Sequence, residues 1–266
     1  MKMGVKFGAI FFLLNSLMLF ALFLVLIPLI FNFGWDGMAA VRTVWIVLPM
    51  LVLLVGVLDF YFIRNWKLLS LLEAEDWLGS LAWLENRLYV RRKLNRTYSS
   101  LLINTALSVS NLDAIRRLEV EIRQKKPVLL RTLGVALGIP VLLKQDWKAI
   151  AEHYGPLAED SKTRARHWAI WCRAVALGGE RVDQLIELLN GRDISLCLLS
   201  WEILERRSRY LSGAQLDVLA ASKKKLKGML NSSEGERMLR KSRKNYLISL
   251  LLSSQVDRVK SDLMTN

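Results

Sequence analysis

Between Phe7 and Trp35 the chain holds no charged residue, and a second apolar run from Thr43 to Ile63 has Asp59 as its only charge. Phe11 to Phe31 alone is long enough to cross a hydrocarbon core of about 30 Å. A cleaved signal peptide would have a shorter apolar stretch and a small-residue cleavage site soon after it, and neither is evident. Asn32 to Gly37 forms a short link, with Trp35 and Trp45 placed as interfacial anchors. The pattern predicts a two-helix transmembrane hairpin within residues 1–70, with spans at about 8–31 and 43–63. Asn15 and Ser16 are positioned to hydrogen-bond across to the second span. Asp59, one turn from its end, is expected to reach water or Arg64, the alternative being a part in an ion or proton path. Past residue 70 the pattern changes to the 3.6-residue period of amphipathic helices.

The clearest such stretch is Asp146 to Tyr154. Asp146 is a helix-starting residue, and Trp147, Ile150, Ala151 and Tyr154 fall on one helical face. Trp147 and Tyr154 are expected to pack between paired helices. Steps of 35 residues from Trp147 reach Leu112 and Trp77 one way and Val182 the other. Three residues beyond each lie Ser80, Ile115, Ile150 and Leu185, and seven beyond lie Leu84, Glu119, Tyr154 and Leu189. Turn signals keep nearly the same period at Glu75-Asp76, Ser110-Asn111, Gln145-Asp146 and Gly178-Gly179. Four helix pairs follow: 76–90 with 97–109, 111–125 with 127–143, 146–154 with 161–177, and 181–189 with 193–206. Pro140 and Arg131 argue that 127–143 is a buried helix rather than a third span, with Gly134 and Gly138 allowing close packing.

The order Trp147-x2-Ile150-Ala151-x2-Tyr154 resembles the Trp-x2-Leu-Gly-x2-Tyr that opens a tetratricopeptide repeat (TPR). Ala165, Ala169 and Cys172 resemble small and apolar positions of the second TPR helix, displaced by two residues from the usual register. The fold class expected is all-α: a transmembrane hairpin, then a TPR-like array over 71–210, then a basic helical cap over 211–266. An irregular helical bundle is the alternative to the array. The resemblance implies a groove lined by the first helix of each pair, which puts Asp113, Arg117, Lys148 and Glu152 there to bind a protein partner. A membrane hairpin followed by helical repeats is similar in layout to the HemY-type membrane proteins.

Charge adds a second feature. The chain carries a formal +14, and from Arg206 onward 14 Lys or Arg face five Asp or Glu. Lys223, Lys224, Lys225 and Lys227 form one dense run, and Arg240, Lys241, Arg243 and Lys244 a second. For a chain tethered to a bilayer the anionic inner leaflet is the nearest partner. A solvated helical face and, less favoured, nucleic acid are the other readings.

Candidate chemistry is sparse. The sequence has no phosphate loop, dinucleotide fingerprint or nucleophile elbow, and its two cysteines match no zinc or redox spacing. Cys172 and Cys197 read as buried free thiols, and His153 and His167 as packing or surface residues. No catalytic residue, cofactor or metal is assigned. Lys2 and Lys6 before the first span, and Arg64 and Lys67 after the second, predict both termini on the cytoplasmic side of the inner membrane. The expected function is a membrane-anchored helical scaffold or adaptor for a protein partner. The alternative is a subunit of a membrane enzyme or transport complex with a lipid-facing site.

Overall fold

The structure, a computed structural model, describes residues 38–265 together with 13, 15–18, 20, 23 and 24. The side chains of 38–48 and of several further positions up to 61 lie outside that description. The described residues are helical or in turns, with no strand among them, so the protein is all-α. It divides into two compact units, Met1–Asn86 and Arg87–Asn266.

In the first unit α1 runs Met38–Glu73 and α2 runs Trp77–Glu85, packed on α1. Most of the expected first span, 8–31, lies outside the described residues, and the second, 43–63, falls within α1. Among the described residues no helix is long and apolar enough to cross a membrane. The Asn15 carboxamide donates to Asp59 Oδ1 at 3.2 Å. The polar contact expected of Asn15 is therefore made, and Asp59 has a partner other than Arg64. Exposed side chains in this unit include Leu13, Leu17, Phe20 and Leu24, and Met50, Leu53, Val57 and Phe60. Their spacings of three and four residues make each set a stripe along a helix.

The second unit holds α3 (Arg96–Ser108), α4 (Leu112–Lys125), α5 (Leu130–Leu137), α6 (Ile139–Leu143), α7 (Trp147–Glu159), α8 (Arg166–Ala176), α9 (Val182–Leu189) and α10 (Ile194–Arg206). After these come α11 (Gly213–Leu230), α12 (Ser233–Asn245), α13 (Leu247–Leu251) and α14 (Ser253–Thr265). The 35-residue period is physical. Glu75, Ser110 and Gln145 each adopt a left-handed conformation, and Gly178 and Gly179 do so one period later. At three of these ends the amide three residues past the last helical residue bonds back five residues: Asp76 to Leu71, Asn111 to Ala106, Gly179 to Ala174. That is the bond of a left-handed helix stop. Asp76, Asn111 and Asp146 then cap the next helix, accepting from Gly79, Ala114 and Ala149 amides. One helix closes and the next opens within three residues.

The columns sort by depth. Ser80, Ile115, Ile150 and Leu185 are all buried, as are Leu84, Tyr154 and Leu189. The first column is not: Trp147 is 50% exposed and Trp77 37% exposed. Expecting Trp147 in the core was wrong because it is the first helical residue, and its side chain tilts toward the helix N-terminus, past the last packed turn.

α7 pairs with α8 and α9 with α10. α7 was expected to stop at Tyr154, yet it continues through Gly155-Pro156 to Glu159. Ala158 is buried there and Leu157 packs on Gly134, which outweighs the hydrogen bond lost at proline. Glycine at 134 and 138 is steric: an added Cβ would lie 2.7 Å from Leu157 and 2.5 Å from the Tyr154 ring. Tyr154 donates its hydroxyl to Val135 O at 3.0 Å.

The centre of the unit is α10, buried along most of its length and packed by α8, α9, α11, α12 and α14. The basic final quarter is thus part of the core. Leu219, Leu226, Leu230, Leu239, Ile248, Val256, Val259 and Leu263 all bury there. A polar chain ties the same elements together. Asp193, the cap of α10, accepts from the Ser195 amide, the Trp168 indole and the Ser242 hydroxyl. Ser242 contacts Ser249, which donates to Ser195.

Candidate functional site

The four expected groove residues lie on α4 and α7, and all are exposed. Asp113 is spent locally, on Arg116 one turn away. What joins α4 to α7 is a different pair, Glu119 and His153. His153 Nδ1 lies 3.1 Å from Glu119 Oε1, and Nε2 lies 2.9 Å from Gly134 O. Both ring nitrogens thus lie against oxygen atoms, one on each neighbouring helix. Glu119 also accepts from Arg123 at 2.6 Å and 2.9 Å. Burial alone would push its carboxyl up, but His153 and Arg123 outweigh burial and hold it below its ordinary range. The carboxylate therefore stabilises the fold above the unfolded-chain value near 4.5, and that contribution is lost as pH falls through the lower folded value. Glu119→Gln should cost about 1 kcal/mol at pH 7, discounted for partial exposure, with the gap to wild type closing below pH 4.5. Paired urea titrations at the two pH values check this.

Cys172 and Cys197 are free and buried, as expected. Burial pushes the Cys172 thiol far up and Cys197 to about 11, so neither is a ready nucleophile. Among the described residues no His, Cys, Asp or Glu cluster is arranged to hold a metal.

The lysine run does not form one patch. At 100° per residue, Lys223 and Lys227 share one side of α11 and Lys225 points the other way. Lys223 lies over the Trp201 ring at 5.6 Å and near Glu205. Lys224 is exposed and Lys227 half-buried. On α12, Arg240, Lys241 and Lys244 make a single stripe with Arg237, whereas Arg243 pairs with Asp257 of α14. Lys225 and Lys241 meet across a cleft of about 890 Å³, which Arg192 and Arg237 also line.

A second concavity, of about 330 Å³, lies between α6, the start of α7, α8, α10, α13 and α14. Its walls are Leu142, Leu143, Val175, Ile203 and Leu251, with Trp147 and Trp171 among them. At its polar edge buried Glu202 accepts from Arg206 at 2.5 Å, Arg258 at 2.9 Å and Gln255 at 3.3 Å. The Trp171 indole N–H is buried and has no acceptor among the described residues. The sequence pattern does not announce this site because its walls come from segments up to about a hundred residues apart. The one signal in it is Trp147, an aromatic placed where a helix start leaves it uncovered.

The family described as "Uncharacterised Treponema protein" matches residues 114–261, more than half of the chain and most of its second unit. A protein of Treponema pallidum (strain Nichols), described as "Uncharacterized protein", is 27% identical over 110 residues. The match covers 41% of this chain and 34% of that one, so the chain spans about a third of the relative's length. No solved structure matches.

Proposed function

The chain belongs to the uncharacterised Treponema protein family, and we propose that it is a membrane-anchored helical scaffold that holds a protein partner at the cytoplasmic face. The observation that carries this reading is the apolar concavity beside Trp147, a large ring left half-exposed at the rim of a preformed pocket. Rings so placed are the usual anchors of protein interfaces. The rim selects the partner: Arg206 and Arg258 share one carboxylate, which leaves net positive charge around an apolar floor. The fitting occupant is an amphipathic segment with apolar residues inward, acidic flanks, and a carbonyl for the Trp171 N–H. The TPR-like pairing of α7 with α8 and α9 with α10 supplies the rigid frame.

Support for the anchor comes from the first unit, where polar Asn15 and Asp59 face each other while stripes of Leu, Phe, Met and Val point outward. That is the arrangement expected where the surroundings are apolar. The basic residues Lys2, Lys6, Arg64 and Lys67 favour both ends on the cytoplasmic side, and the basic stripe of α12 suits an anionic membrane surface.

The test is a photo-reactive phenylalanine analogue at Trp147, with one at Tyr210, which is 85% exposed and away from the concavity, as control. The expected result is one protein adduct of defined mass from position 147, absent from position 210 and lost when Arg206 and Arg258 are changed to Glu. Equal adducts from both positions, or an adduct indifferent to the charge reversal, would overturn the reading.

A further inference from the structure

A third concavity, which shares only Asn245 and Tyr246 with the basic cleft and Ile248 with the apolar one, gathers positive charge without any acid. Four segments of the second unit line a cavity of about 200 Å³: α3, α5, the loop before α8, and the junction of α12 with α13. They bring together Arg96, Ser100, Asn104, Thr132, Arg164 and Asn245, with no carboxylate among the lining residues. Arg96, Ser100 and Asn104 are one turn apart along α3 and share a face. Among the described residues neither guanidinium has a carboxylate partner. Asp160, the acid closest to Arg164 in sequence, is occupied by Arg131 at 3.1 Å and by the Lys162 amide. Two guanidiniums lining one cavity repel each other, and an anion between them relieves the repulsion.

The backbone at Arg164 is held in place. Its amide donates to Arg131 O at 2.6 Å, and Ala165 after it adopts φ +61°, a left-handed conformation that is strained for a residue with a Cβ. Strain of this kind persists where its surroundings over-determine it, and here it sets the cavity wall.

We propose that this cavity binds a phosphate group, free or as a monoester, between Arg96 and Arg164. The donors decide against a carboxylate. A carboxylate is planar and satisfied by one guanidinium fork, whereas here two guanidiniums, a hydroxyl and two carboxamides come from several directions, which suits a tetrahedral oxyanion. Phosphate also carries about 1.5 to 2 negative charges at neutral pH, more than a carboxylate can bring to two arginines. The volume sets a limit, being below the range of about 300–1,000 Å³ usual for larger ligands, so the phosphate and a short stem fill it. Thr132 spends its hydroxyl proton on Leu129 O and serves only as wall.

The test is calorimetric titration of the full chain with inorganic phosphate in chloride buffer, repeated with glycerol phosphate and with glycerol. Saturable binding at one site is expected, weakened about tenfold or more by Arg96→Gln or Arg164→Gln and abolished by both together. Lys225→Gln with Lys241→Gln, which removes equal charge from the larger basic cleft, should leave it unchanged. Glycerol phosphate binding about tenfold tighter assigns an esterified phosphate such as a lipid headgroup, and equal binding assigns the free ion. Glycerol alone should not bind. Absence of saturable phosphate binding, indifference to both arginine changes, or equal loss in the lysine variant would overturn the proposal. None of these outcomes bears on the concavity beside Trp147.

Discussion

Trp168→Ala is expected to lower unfolding free energy by about 3–5 kcal/mol, while Trp147→Ala changes it by no more than about 1 kcal/mol. The two residues are 21 apart in sequence, on paired helices, and chemically identical, so the contrast reports what their surroundings add. Trp168 is 1% exposed and packs edge-on to Trp171 at 6.2 Å, with Tyr246 at 6.3 Å. Its indole N–H is also one of the donors that Asp193 requires, at 3.1 Å. Truncation leaves a cavity where the core cannot easily collapse, and leaves a partly buried carboxylate short of a hydrogen bond, which places the cost toward the upper end. Trp147 loses a contact face on one side only. Urea midpoints with unchanged slopes measure both effects. Equal destabilisation by the two substitutions would mean that Trp147 is structural, and the partner site would lose its anchor.

The division between what the sequence makes legible and what it does not follows the range of the forces. Caps and stops are local: Asp146 bonds an amide three residues on, and left-handed Gln145 stands beside it, so the 35-residue punctuation can be read from neighbouring residues alone. Asp193 caps α10 in the same local way, accepting from the Ser195 amide two residues on. Trp147 is misplaced by periodicity because periodicity assigns a face and not a depth, and the first residue of a helix has no preceding turn to cover it. The passage through Pro156 is hidden because its compensation, Leu157 against Gly134, comes from another helix. A run of consecutive lysines looks like a patch on paper, yet α-helical rotation sends Lys223 toward Trp201 and Lys225 into a cleft with Lys241. The Arg96–Arg164 cavity joins residues 68 positions apart, and no local pattern announces it.

The final quarter, read from composition as a basic cap, is expected to be indispensable to folding: a chain ending at Leu211 should have no cooperative unfolding transition. α10 is the reason. It is packed by α11, α12 and α14 as well as by α8 and α9, so removing the last helices would uncover part of a helix that is buried along most of its length, Trp201 beneath Lys223 included. Eight aliphatic side chains from the removed segment bury against the core, each contributing about 1.5–3 kcal/mol as an upper estimate. The ordering entropy of the segment offsets much of that gain, but net domain stability is itself only about 5–15 kcal/mol. The hydrogen-bond chain fails at the same time, since Asp193 loses Ser242 and Ser195 loses Ser249. The truncated chain should keep helical far-ultraviolet dichroism, bind a hydrophobic dye, and lose its near-ultraviolet signal, as a compact state without fixed packing does. A sharp thermal transition within a few degrees of the full chain would show instead that the helix pairs up to Arg206 stand alone as a stack, with the basic helices an appendage to it.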